Sequence, residues 1–177
     1  MHRTRFLLIL GLGTAMLAGC GREPAPPARP VPVTPSRVEV LPLSPSDYVA
    51  TASSIDLLVV QASQLAQTKA RGSSVRELAA RLMADHIGVS AQLSFAGRRL
   101  NLLPSATMMP RHQAMLEELK GSWDFDAAFK RIMIAAHEQG VRVHGDFAKG
   151  GNSPTLRPVA EIAFPAMRHH LDELRAL

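Results

Sequence analysis

The chain has one cysteine, one tryptophan, one tyrosine and four lysines in 177 residues. A single cysteine excludes an internal disulfide, so any folded domain is held by packing alone. Aromatic residues make up 5% of the chain and no lysine cluster is interleaved with them, which leaves a nucleic-acid surface without support. No segment alternates apolar and polar residues over a useful length. Val38 to Leu43 comes nearest and is interrupted by Pro42, so strands are not expected. There is no glycine-rich phosphate loop, no Gly-x-Ser-x-Gly elbow and no His-Glu-x-x-His. Glu-x-x-His is absent as well, which disfavours the carboxylate-bridged di-iron chemistry of some helical bundles. The reading is therefore of a non-enzymatic binding or structural module.

The N-terminus carries a strong signal. Arg3 and Arg5 precede an apolar run from Phe6 to Leu17, too short to remain as a membrane-spanning helix. A charged start, apolar middle and small-residue exit form a secretory signal peptide. Leu17-Ala18-Gly19-Cys20 closes it and resembles a bacterial lipobox, which implies cleavage before Cys20 and lipidation of its thiol. Residues 1–19 are thus expected to be removed. Gly21 lacks the acidic signal for inner-membrane retention, so the expected location is the periplasmic face of the outer membrane. The formal charge of +5 falls to about +3 once Arg3 and Arg5 leave, and this balance identifies no partner. The expected partner is the membrane itself, with no nucleic acid.

Residues 21–45 contain eight prolines, which fix φ and remove donors. Residues 20–45 read as the anchor and an extended tether. The domain is placed at residues 46–177. There, apolar residues recur at helical spacing. The first stripe is Tyr48, Ala52, Ile55, Val59, Ala62 and Ala66, with Ser46 as N-cap. A second helix is predicted from about Val75 to Leu100, a short one from Arg111 to Leu119, a third long one capped by Ser122 and ending near Lys149, and a last from Thr155 to Ala176. Pro165 inside the last predicts a bend. Four long amphipathic helices plus a short one make an all-α antiparallel bundle.

Three histidines, His86, His137 and His170, fall on the apolar stripes of three helices. Each has a methionine one turn earlier on the same face: Met83, Met133 and Met167. Singly, such residues are core filler. If the imidazoles converge, they can bind Zn, Cu or Fe, and the thioethers would assist and favour Cu(I). Asp85, next to His86, is a further candidate ligand, a partner fixing a tautomer, or a boundary charge. Convergence of the rings favours a metal site, and scattered rings a structural role. No cofactor is required for folding on this reading. Asp126 lies in the first turn of its helix, where a carboxylate suits the helix N-terminus. His112 and His169 fall on expected exposed positions.

Met83-Ala84-Asp85-His86, then Phe125-Asp126 with Phe129 and His137, then Pro165 with His170-Leu171 resemble the bacterial domain of unknown function 4142 family in order and spacing. The resemblance implies a ferritin-like helical fold, export and no established activity. The family pattern has a glutamate on the first helix at about position 59, where this chain has Val59, so the best carboxylate for a metal centre is expected to be missing. Phe129 replaces the pattern's usual tyrosine.

If Cys20 carries the lipid, Cys20→Ala is expected to move the protein from the membrane to the soluble fraction or to stall its processing. Fractionation of cells expressing each form checks this, and unchanged membrane association with normal maturation refutes it.

Overall fold

The structure, a computed structural model, describes residues 43–177. The signal segment, Cys20 and the proline-rich stretch to residue 42 lie outside the described residues. Five helices follow: α1 Pro45–Lys69, α2 Ser73–Arg98, α3 Pro110–Gly121, α4 Phe125–Gly150 and α5 Arg157–Ala176. No strand occurs among the described residues. The stripes read from sequence on the four long helices are the buried faces, but the caps of α1 and α4 differ. Ser44, not Ser46, caps α1: its Oγ accepts from the Asp47 N–H at 3.1 Å and donates to the Asp47 carboxylate at 2.7 Å. Leu43 already packs against the core. Asp124, not Ser122, caps α4 by accepting the Ala127 N–H.

α1 is the central helix. Between Asp47 and Lys69 its only charged residue is Asp56, and residues on almost every side of it are buried. It is long and apolar enough to cross a membrane by composition, yet most of that stretch is covered by α2, α3 and α4.

Contacts at the two ends give the topology. At one end, the Asp126 carboxylate at the start of α4 accepts the backbone N–H groups of Arg71 and Gly72 in the α1–α2 turn, at 3.1 and 2.8 Å. A Cβ at Gly72 would crowd that carboxylate at 3.3 Å. Asp126 therefore does more than complement its own helix: it ties the turn to α4. At the other end, Tyr48 of α1 stacks on Phe147 of α4 with ring centroids 3.9 Å apart. α1 is thus antiparallel to α4 as well as to α2. α5 returns along α4 and packs on α2. Gly140 lets α4 and α5 approach, because a Cβ there would lie 2.9 Å from Sδ of Met167. α5 runs unbroken through Pro165, which faces solvent.

α3 lies in the long crossover between α2 and α4. It is latched by a residue expected on the surface. His112 is fully buried, which corrects that expectation. The Met109 N–H donates to Oγ of Ser54 at 2.7 Å, and the Ser54 hydroxyl donates to Nδ1 of His112 at 2.6 Å. Nε2–H of His112 donates to Oε1 of Gln139 at 3.0 Å. Position 112 looked exposed because α3 is too short to show its apolar face, and the polar partners come from α1 and α4. His169 is exposed, as expected.

Asp126→Ala strands the turn's N–H groups and is expected to lower stability by about 1–2 kcal/mol. Urea unfolding followed by circular dichroism, with an unchanged slope, is the check.

Candidate metal centre

α2 supplies His86, α4 His137 and α5 His170, and the bundle brings all three rings together in its buried interior. Ring centroids lie 5.2, 5.5 and 5.7 Å apart. One ring nitrogen from each lies within 4.8 Å of the others. Nε2 of His86 and Nε2 of His137 are 3.3 Å apart.

The other side of each ring is held by a different device. Nδ1 of His137 donates to its own helix, to the Met133 carbonyl at 2.8 Å. That bond directs the Nε2 lone pair toward His86. Nδ1 of His86 faces Oδ1 of Asp56 at 2.8 Å, and the second oxygen of Asp56 accepts from the Ser90 hydroxyl at 2.9 Å. Nε2 of His170 donates to Asp85 at 2.9 Å, leaving Nδ1 buried and without a partner.

Asp56 is completely buried, and burial pushes its carboxyl up to about 7. Burial, with the neighbouring His170, pushes His86 down to about 3. Both shifts describe a pair that prefers to be uncharged. In that state the Asp56 hydroxyl donates to Nδ1 of His86, Nε2–H of His86 donates to Nε2 of His137, and Nδ1–H of His137 donates to the Met133 carbonyl. Every buried polar atom in this line then has a partner. Burial also holds His137 well below the usual imidazole range, with His86 adding to the effect.

Of the three roles open to Asp85, the geometry matches the partner that fixes a tautomer: it is more than half exposed and accepts from the outer nitrogen of His170. Met133 contributes its carbonyl, Met167 places Sδ against Gly140, and Met83 is half-buried. The first helix contributes a carboxylate that the sequence reading did not single out: Asp56, three residues before Val59, faces Nδ1 of His86 and lies outside the three-nitrogen group. A signal for it existed, since Asp56 lies four residues after Ala52 and three before Val59 on the predicted apolar face. Finally, His144 belongs to the same interior. The Tyr48 hydroxyl donates to its Nδ1 at 3.1 Å, while Nε2 is buried and unpartnered.

Where donors are about 2.0–2.1 Å from a zinc or similar ion, neighbouring nitrogens stand about 3.3–3.6 Å apart. The His86–His137 spacing already lies in that range. The three-nitrogen set therefore fits a single ion with a contraction on the order of 1 Å, and imidazole nitrogens suit Zn, Cu, Fe or Ni.

Acid should destabilise the metal-free fold. Burial pushes His144 down to about 4 and also lowers His112. The unfolded chain binds protons at these positions below about pH 6.5 and the folded chain does not, so stability is full above 6.5 and falls toward pH 4. Asp56 has the opposite slope between about 3.8 and 7 and offsets its partner His86. The net loss is expected to be on the order of 3 kcal/mol for His144 alone by pH 4. His144→Gln should flatten the profile measured by urea unfolding in a chelator. An identical slope in the variant would contradict the assignment.

The comparisons with known proteins bear on this arrangement. Three solved structures of CopM share the fold, in the Cu(II)-bound, Cu(I)-bound and silver-bound forms. They are 15%, 14% and 13% identical, with TM-scores of 0.67, 0.65 and 0.63. The matches cover 77%, 76% and 76% of this chain and 96%, 94% and 94% of those chains. At that identity the likeness establishes the helical fold. No curated protein sequence matches. The sequence pattern of the domain of unknown function (DUF4142) matches residues 34–177, and the chain belongs to that family.

Proposed function

We propose that this protein is a lipid-anchored envelope protein whose bundle binds one transition-metal ion, of the copper class, through His86, His137 and His170. One observation carries the metal reading: three buried imidazoles bring one nitrogen each within 4.8 Å of the others, and Nδ1 of His170 has no other partner. A structural histidine is normally satisfied where it sits. The fold shared with CopM, structures of which hold copper or silver, supports a soft ion over Zn or Fe. The anchor rests on Arg3, Arg5 and the Leu17-Ala18-Gly19-Cys20 sequence.

The residues around the cluster would prepare it for a cation. His137 is oriented by the Met133 carbonyl and needs no change of tautomer. His86 must lose the proton on Nε2, and Asp56 is placed to keep one on Nδ1. Asp85 fixes His170 with Nδ1 inward and puts a negative charge at the outer side of the ring. An ion held here is shielded from water by α2, α4 and α5, a geometry suited to holding or carrying an ion. A competing reading is a purely structural network, favoured by the way Asp56, His86, His137 and Met133 close a hydrogen-bonded line with no ion.

Metal competition separates the two readings. Tag-free protein from residue 21 onward is expected to take up one Cu(I) or Ag(I) per chain against a chromophoric chelator. His86→Leu, His137→Leu and His170→Leu should each weaken uptake by more than about a hundred-fold while remaining helical, and Asp85→Ala by about ten- to a hundred-fold. Failure of the wild type to bind Cu(I), Ag(I) or Zn(II), or equal uptake by the triple variant, would leave the structural network as the function of these residues.

A further inference from the structure

The end of the bundle from which the chain runs back toward residue 20 is unusually apolar for a surface. Tyr48 on Phe147 places the start of α1 beside the end of α4, and the end of α2 and the start of α5 lie there too. Phe95, Leu103 and Ile162 are 63%, 67% and 57% exposed. Phe95 and Ile162 border an open groove of about 550 Å³ between α2 and α5, floored by Val159, Pro154 and Pro158. Leu103, in the loop just after α2, is exposed, as is Leu100 at the start of that loop. Large apolar side chains grouped at one site on a surface mark contact with something.

Charge and chain connection narrow the occupant. Arg98, Arg99, Lys149 and Arg157 are exposed at the same end, with Arg98-Arg99 set directly between Phe95 and the Leu100–Leu103 loop. Three carboxylates share this end, Asp47, Asp146 and Glu161, and Asp47 is engaged by Ser44. Apolar side chains ringed by arginine and lysine suit the boundary of an anionic bilayer, where the former enter the acyl region and the latter meet headgroups. Only residues 21–42 separate Cys20 from this end, a span of at most about 80 Å when fully extended.

We infer that this end of the bundle docks on an anionic lipid surface through Phe95, Leu103 and Ile162, with Arg98 and Arg99 on the headgroups. The direction of approach rests on the reading that Cys20 is lipidated. The docking surface itself is independent of the metal centre, which lies in the interior.

The test uses the chain from residue 21 onward. It lacks the lipidated cysteine and keeps all five described helices and their core, so lipidation and docking are separately measured. Cosedimentation with vesicles of phosphatidylethanolamine and phosphatidylglycerol is the readout. The parent is expected to bind these vesicles, and to bind phosphatidylcholine vesicles less. The Phe95→Ser, Leu103→Ser double variant should lose about ten-fold in partition on both. Arg98→Glu, Arg99→Glu should lose as much on phosphatidylglycerol vesicles alone. Trp123→Ser alters another exposed apolar residue, at the opposite end, and should bind like the parent. All these positions are exposed, so helical circular dichroism should be unchanged. No binding by the parent overturns the inference, as does equal loss in Trp123→Ser. A dimer in sedimentation velocity, abolished by Phe95→Ser in a protein that ignores vesicles, would overturn it by making this face a self-association surface.

Discussion

The buried contact between Asp56 and His86 constrains the rest of this bundle. A carboxyl group with no solvent exposure is expensive in an apolar interior unless it is neutral or fully bonded. Here one oxygen meets an imidazole and the other a serine hydroxyl. These two partners both come from α2, one turn apart on one face, so the contact fixes the register of α2 on α1. With α2 set, the other nitrogen of His86 points at α4, and His137 must present a lone pair there. The hydrogen bond from His137 to the Met133 carbonyl makes it do so. A polar line through three helices thus specifies how they align, a task for which interchangeable alanines and leucines are poorly suited.

Polar latches of the same kind recur away from the cluster. Ser54, His112 and Gln139 pin the crossover helix α3 to α1 and α4. Tyr48 and His144 link α1 to α4, and burial pushes the tyrosine hydroxyl up so that it remains a donor. Asp126 ties the α1–α2 turn to α4 at the far end. The small side chains between these latches, including Ala52, Ala62, Ala66, Ala136, Gly140 and Ala160, allow the helices to approach. The bundle therefore combines close backbone packing with a few costly, directional bonds. The only buried nitrogens left without partners are on His144 and His170, among the described residues. His170 belongs to the three-histidine cluster, and His144 lies two turns beyond His137 on α4.

The helices, their order and the inward face of each long one were legible in the sequence because burial in a bundle repeats every three to four residues, a purely local rule. That rule also put His86, His137 and His170 inside, and the absence of Glu-x-x-His weighed against a di-iron centre. Asp56 obeyed the same spacing. It was passed over because a charged residue on an apolar face reads as a boundary until its partners are known. His112 was misplaced for the opposite reason: a short helix carries too few turns to declare a face, and its partners lie far away in sequence.

Periodicity places a side chain on a face, but it has no information about height along a neighbouring helix. The meeting of three imidazoles at one level, rather than three levels of the same bundle, depends on the lengths of the turns and on Asp126 and Tyr48 at the two ends. Which nitrogen each ring offers was likewise decided only by the tertiary partners, Asp56, the Met133 carbonyl and Asp85, because a tautomer is set by whatever bonds the opposite nitrogen. The sequence by itself determined an all-α chain with its histidines turned inward. Only the folded structure decided that they share a centre, since that requires contacts between residues far apart in sequence, such as His86 with His137, 51 residues apart, which no local pattern encodes.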